Sequence, residues 1–439
     1  MLVKIGERIL LGRNFDWEPM FLTRHPLIVE YRPEGRLAVT SFGFVGVPGV
    51  IQGVNSAGLA LTTNIAFRLY RDTDANNGPS IVLKNRAVLE RASSLDAAER
   101  LYRAQPTDEA GWMITLASAA ERDGAIIELY DNQVARSGLK QGRAHIHNIL
   151  FDPARLGTAA LSRRNTELKM ALDEYNVRRE FETSRKLPAV SSVDELLGYL
   201  GDTSFYGYRD VILTNCATIN NDYTINTLVF DPVRQDVYYA VAPGFSALSK
   251  IYRYEQTSRH LTLYRPAEAR FDDPVRQAKM RWFDAYLNLK YCSDYAAIIR
   301  LVDLNDPQLD PVQLRYAAEA WLKAPGAGDG AAIVAALERM SQRYPRYDLP
   351  HLYRAKLLAK LGRRTEAVQA LDQTLACADS SPGFRLEAQL LLTELAGPER
   401  RKRAQAAYVA AIDELARTWC IEDSYRRPYE RIKAELKDN

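Results

Sequence analysis

The sequence predicts an α+β chain in two parts: packed sheet and helix layers over residues 1–265, then an all-α helical region over 272–439. Three observations carry this expectation. Short apolar runs punctuated by turn residues fill the first part. Two helical patterns interrupt them before strands resume, an order that implies layers of sheet and helix. From about Asp272 the apolar spacing changes to that of helices. The length of 439 residues also exceeds one ordinary core and implies at least two domains.

The elements follow in order. Leu2–Ile5 and Arg8–Leu11 flank Gly6-Glu7, a short hairpin signal, and Leu27–Tyr31 and Leu37–Phe44 are further strands. Gly49–Asn55 and Gly58–Asn64 are strands joined at Asn55-Ser56-Ala57-Gly58, residue types that tolerate a tight turn. Ser80–Arg91 reads as a helix, and a second starts near Leu95 with Ser94 or Asp96 as its cap. Trp112–Ala119 and Gly124–Leu129 form a strand pair around Arg122-Asp123-Gly124, and Thr224–Phe230 and Val237–Val241 bracket the turn at Asp231-Pro232. In the second part, Val275–Leu289, Tyr295–Val302 and Val312–Leu322 have helical spacing, and Gly326–Gly330 reads as a break. Leu352–Leu371 reads as helix, tight turn, helix and resembles one tetratricopeptide repeat; small Ala355, Gly362 and Ala367 are expected to allow close helix approach. One repeat cannot bury its own face, so neighbouring helices must complete the stack.

Composition narrows the function classes. A balance of 47% apolar and 26% charged residues is that of a soluble globular protein, and a net charge of +3 gives no electrostatic case for nucleic acid. The basic run Arg400–Arg403 reads as a solvated helix face. Cys216, Cys292, Cys377 and Cys420 share no C-x-x-C spacing, and the five histidines form no helical pair, so neither a metal site nor a redox pair is expected. So few cysteines fit a reducing, cytoplasmic compartment. No stretch approaches a membrane span, and Lys4, Glu7 and Arg8 break up any signal-peptide pattern.

The chemistry is carried by Gly12-Arg13-Asn14-Phe15-Asp16-Trp17, directly after the first hairpin. By composition alone, Arg13 and Asp16 would be a surface ion pair at a strand end. Together with Gly53–Asn64, the helix from Leu95, the strands from Trp112 to Leu129, and Tyr223–Pro232, the motif resembles one branch of the N-terminal-nucleophile (Ntn) hydrolases. That branch holds the choloylglycine hydrolases, penicillin acylases and acyl-coenzyme A:6-aminopenicillanic acid acyltransferases, and the resemblance covers roughly residues 1–245.

The resemblance implies a four-layer αββα sandwich and a cysteine nucleophile at the first residue of the mature chain, where a free α-amine with a reference pKa of about 7.7–8.0 can act as base. It further implies that Arg13 holds the thiolate, that Asp16 orients the nucleophile and its amine, and that Asn64 donates to the oxyanion of the tetrahedral intermediate. A second site asparagine falls at Asn148, although His147 stands where threonine is usual and Ile149 where histidine is usual; a hydrogen-bonded strand end is the other reading. The family's late arginine corresponds in order to Arg163 or Arg164, for which a surface role is the alternative; Arg209 is a weaker match. The implied substrate is a small-molecule amide or acyl donor, with no cofactor.

One departure matters most. The chain opens Met1-Leu2-Val3-Lys4 within the strand that the nucleophile begins in relatives. A cysteine a few residues before Met1 in a longer chain is one reading, and without it the chain as written is expected to be inactive. A sandwich that has lost its nucleophile and binds without catalysing, with the helical region as a surface for a protein partner or self-association, is the other. Cys216 reads better as a small buried hydrophobe than as a substitute, and the remaining cysteines read as structural. Trp17, Phe21, Phe42 and Phe44 can each be core or the wall of an apolar acyl pocket.

Overall fold

The computed structural model describes residues 1–17, 25–66, 79–104, 111–130, 133–146, 176–204, 218–221, 223–242, 244–272, 274–307, 309–377, 380–416 and 423–438. The chain divides into two compact units. The first is built from Met1–Ala171, Arg179–Asp202 and Ile219–Asp273; the second consists mainly of Pro274–Asn439.

The first unit contains strands β1 (Leu2–Ile5), β2 (Arg8–Asp16), β3 (Pro26–Tyr31), β4 (Val39–Phe44), β5 (Gln52–Asn55), β6 (Leu59–Ala66), β7 (Gly111–Ser118), β8 (Asp123–Tyr130), β9 (Gln133–Gly138), β10 (Arg143–Ala144), β11 (Thr224–Asp231), β12 (Asp236–Val241), β13 (Ile251–Glu255) and β14 (His260–Arg265). They form two seven-stranded sheets, ordered β10-β1-β2-β11-β12-β13-β14 and β3-β4-β5-β6-β7-β8-β9, antiparallel at every pairing described. Helices α1 (Ile81–Leu89) and α2 (Leu95–Arg103) follow β6. Helices α3 (Asn176–Lys186) and α4 (Val193–Leu200) precede β11.

Side-chain alternation explains the layering. On the second sheet, Leu59, Leu61, Ile114, Leu116, Ile127 and Leu129 pack against Val88, Leu89, Leu95 and Tyr102 of α1 and α2. On the first sheet, Leu10, Val229 and Tyr238 pack against Leu196, Leu197 and Leu200 of α4. The opposite faces of the sheets meet each other: Phe42 of β4 stacks within 6 Å of Phe230, Tyr239 and Tyr254. The result is the four-layer αββα sandwich. Ser94, not Asp96, caps α2, its hydroxyl accepting from the Ala97 amide at 3.1 Å.

Gly12 has a packing reason. A Cβ there would sit 3.1 Å from the Leu196 side chain of α4, tighter than ordinary contact, so any larger residue needs that leucine to shift. Gly12→Val is expected to cost about 1–3 kcal/mol by overpacking. A urea unfolding midpoint equal to wild type would show that α4 gives way instead.

The second unit is all-α: α5 (Pro274–Tyr291), α6 (Tyr295–Leu301), α7 (Pro311–Lys323), α8 (Gly330–Arg343), α9 (Leu349–Lys360), α10 (Arg364–Ala376), α11 (Pro382–Leu395), α12 (Pro398–Leu415) and α13 (Asp423–Asp438). Asp294, Asp310, Asp329 and Ser381 cap α6, α7, α8 and α11 through side-chain oxygens that accept backbone amides. Two expectations are corrected. Gly330 is the first residue of α8, not loop, because Asp329 caps the helix there. Gly362 does not serve close helix approach: a Cβ on it would meet nothing within 4 Å. Its φ of +78° ends α9 in a left-handed turn, while buried Ala355 and Ala367 supply the packing. Arg401, Lys402 and Arg403 are exposed on α12, and Arg400 pairs with Asp372. Among the described residues no helix is long and apolar enough to cross a membrane.

Candidate active site

The site grows from β2. Its odd positions face the other sheet, so Arg13 enters the layer between sheets, while Asn14 points to the helices. Asn14 donates to the carbonyls of Leu200 and Ile219, both at 2.8 Å, and accepts from the Thr227 hydroxyl. It anchors the end of α4 to the sheet.

Arg13 is 6% exposed, so the surface-pair reading fails. Its Nη1 donates to Gln52 Oε1 of β5 at 3.0 Å, and its guanidinium lies over the Phe15 ring at 4.5 Å. Among the described residues it forms no ion pair. Burial pushes its pKa down to about 9, with the Asp16 charge opposing the shift. The group therefore stays cationic at neutral pH. Arg13 Nε is buried with no hydrogen-bond partner among the described residues.

Asp16 does not pair with Arg13. A bulge at Ile225 shifts the β2–β11 register, so that Thr224 falls opposite Asp16 and Asn226 opposite Phe15. Thr224 Oγ1 donates to Asp16 Oδ1 at 2.7 Å, and Arg179 of α3 donates to Oδ2 at 2.5 Å. Both side chains of that ion pair are at least nine-tenths buried.

Asn64 lies on β6 opposite Met113, half-buried. Alternation puts it on the same face as Thr62, which pairs with Gln52, so Asn64 sits about 7 Å further along the row that faces Arg13. Thr63, on the other face, accepts from Asn85 of α1 at 2.6 Å, fixing this stretch of β6 from behind. The next strands carry the row on from Met113 to Glu128 of β8, a carboxylate 2% exposed.

Sequence reasoning missed Gln52, Asn226, Thr224 and Arg179. A signal existed for Asn226: a primary amide beside Thr227 in the mostly apolar run Ile225–Phe230. The bulge that pairs Thr224 with Asp16 has no such signature. Asn148, His147, Arg163, Arg164, Arg209, Cys216, Cys420 and Phe21 lie outside the described residues. Cys377 is buried and Cys292 exposed. Phe42 is core, Phe44 packs on Phe15 and Ile225, and Trp17 is 48% exposed, stacked on Phe15. Among the described residues no group of three or more His, Cys, Asp or Glu side chains could hold a metal ion.

Residues 3–149 match the model of the acyl-coenzyme A:6-aminopenicillanic acid acyl-transferase family. Solved structures similar to this chain include an arginine-to-leucine variant of conjugated bile acid hydrolase from Clostridium perfringens, at 14% identity and TM-score 0.39, covering 61% of this chain and 98% of that one. A cysteine-to-alanine mutant of the same hydrolase gives 15% and 0.36, covering 60% and 97%. The Caenorhabditis elegans ortholog of N-acylethanolamine-hydrolyzing acid amidase gives 13% and 0.35, covering 53% and 92%. No curated protein matches the chain. Residues 3–149 are thus similar to the acyl-coenzyme A:6-aminopenicillanic acid acyl-transferase family, and their strands lie in the paired sheets between helix layers.

Proposed function

We propose that the first unit cleaves linear, non-peptide amides, or transfers their acyl group, through the thiolate of a cysteine placed just before Met1 in a longer chain. One observation supports this above others: Arg13 is a buried cation facing the space between the sheets, with no carboxylate bonded to it among the described residues. The β1–β2 register adds to it. Met1 and Gly12 exchange backbone hydrogen bonds at 2.9 and 3.0 Å, so the position opposite Arg13, on the same face, is the one preceding Met1.

A thiolate there attacks the amide carbonyl, and the oxyanion that forms accepts from Asn64. The amine departs with a proton from the α-ammonium, and water or an acceptor amine then resolves the acyl-enzyme. Arg13 favours the thiolate and Asp16 orients the amine. Asn148, and more weakly His147, Arg163 and Arg164, remain candidates on the family pattern. In the same reading residues 1–265 form the catalytic domain, and residues 272–439 a tetratricopeptide-like surface for a protein partner or self-association.

N-terminal sequencing of the native protein, with the coding DNA upstream of Met1, tests the nucleophile. A cysteine in the codon just before Met1 is expected. A stop codon directly upstream with no alternative start overturns the proposal in favour of a binding protein without catalysis. In the cysteine-bearing protein, Asn64→Ala is expected to lower kcat/KM for an acyl-anilide about 10²–10³-fold with an unchanged unfolding midpoint. An undiminished rate would remove Asn64 from the oxyanion site.

A further inference from the structure

We propose that Gln52 is a positioning residue for Arg13: its neutral amide aims the guanidinium across the sheet interface while leaving the positive charge uncompensated for the nucleophile. The inference rests on the proposed function for its chemical meaning, and on a buried hydrogen-bond chain for its evidence.

The chain has one possible direction. The Ala240 carbonyl can only accept, so Asn226 presents Nδ2 to it, at 3.1 Å. Asn226 must then turn Oδ1 toward Gln52, whose Nε2 donates to it at 2.6 Å. Gln52 is left with Oε1 facing Arg13, which can only donate, at 3.0 Å. Gln52 and Asn226 are both essentially fully buried. A backbone carbonyl on β12 thus dictates, through two amides, which atom of Gln52 meets the arginine. The bond also crosses layers, because Gln52 belongs to one sheet and Arg13 and Asn226 to the other.

Buried arginines usually face a carboxylate. Glutamate would occupy nearly the same volume as Gln52, yet it would place a formal charge on the guanidinium and cancel its field. It would also set an oxygen against Asn226 Oδ1. The other charges around Arg13 do not do this. Asp16, on the same strand, is tied to Arg179 of α3 and to Thr224. The Met1 amine, just before β1, is a second positive group when protonated. Of the strands packed against β2, β6 and β7 carry no charged side chain, and β8 carries Asp123 and Glu128. Glu128 stands in the cross-strand row of Asn64, two strands away from it.

A probe of this charge lies beside it. In a chain begun at Met1, the α-amine is buried and its pKa is lowered to about 5, by burial first and by Arg13 second. The pH dependence of its acylation by an amine-selective reagent, read by mass spectrometry, reports the field. Gln52→Glu is expected to raise this pKa by about one unit or more. Asn226→Asp, which keeps the acceptor for Gln52 but moves the new charge one step away, should raise it less. Gln52→Met, which removes the hydrogen bonds without adding charge, should not raise it as Gln52→Glu does, and any change it makes reports how far the unheld guanidinium moves. The ordering of the last two against wild type is informative even where Gln52→Glu fails to fold. Equal pKa values in all folded variants overturn the proposal.

In the cysteine-bearing enzyme, the acid limb of the kcat/KM profile should move to higher pH in Gln52→Glu and not in Gln52→Met. A wild-type protein with no amide turnover refutes the proposed function, while the amine titration still decides the role of Gln52.

Discussion

Asp16→Asn is expected to destabilise the first unit by about 3–5 kcal/mol, because it removes one member of a buried ion pair while Arg179 keeps its charge. Shape is not the issue. An asparagine can turn Oδ1 to Arg179 and its amide to the Thr224 hydroxyl, so both contacts survive in outline and only the charge is lost. Urea unfolding followed by far-UV circular dichroism reads the effect. The double variant Asp16→Leu with Arg179→Met should recover much of the loss, since an apolar pair of similar volume escapes the desolvation of two charges. A loss under about 1 kcal/mol in the single variant would mean that the pair is solvated and weak. In the cysteine-bearing protein the substitution should also weaken labelling by a thiol-reactive amide mimic. Equal labelling would deny Asp16 its orienting role even if the stability loss appears as expected.

Asn55→Ala should have an effect of similar size with a different origin. The Asn55 side chain donates to the carbonyls of Leu89 and Ala92 at 2.8 and 2.7 Å and accepts from the amides of Ala57 and Leu59 at 3.1 and 2.9 Å. One residue 1% exposed thereby closes the β5–β6 turn and holds the end of α1 against it. At a net of roughly 0.5–1.5 kcal/mol for each of the four bonds, the loss is about 2–6 kcal/mol, and the stranded carbonyls push it towards the upper end. Because β5 carries Gln52 and β6 carries Asn64, hydrogen exchange at those two amides should accelerate along with the fall in the urea midpoint. Unchanged exchange there would show that the two strands are held without this turn.

The two effects separate what was legible in the sequence from what was not. The strand-turn-strand of Gly49–Asn64 could be read from its apolar runs and from Asn55-Ser56-Ala57-Gly58, because turn chemistry is local. Nothing local says that Asn55 also reaches Leu89 and Ala92, more than thirty residues away. The motif Gly12–Trp17 could likewise be read as the support of an active site, and its match over residues 3–149 bears out the family resemblance. Its internal pairing could not. Arg13 and Asp16 are three residues apart and opposite in charge, which invites a direct ion pair. In the fold their side chains find different partners, since β2 alternates its faces and a bulge on the neighbouring strand brings Thr224 to Asp16.

The sequence by itself therefore determined the order of the elements, the αββα expectation, the change to helices near residue 272 and the identity of Arg13, Asp16 and Asn64 as candidates. The order of the elements and the change to helices rest on periodicity and turn residues, which act over short stretches of chain; the αββα expectation and the three candidates rest on the family resemblance that the motif carries. Only the tertiary structure decided that a neutral glutamine holds Arg13, that Arg179 and Thr224 hold Asp16, and that Gly12 is there for the helix above it. Each of those depends on which strand lies beside or across from which. Register and layer packing are set by the burial of whole faces at once, so no single segment carries the information.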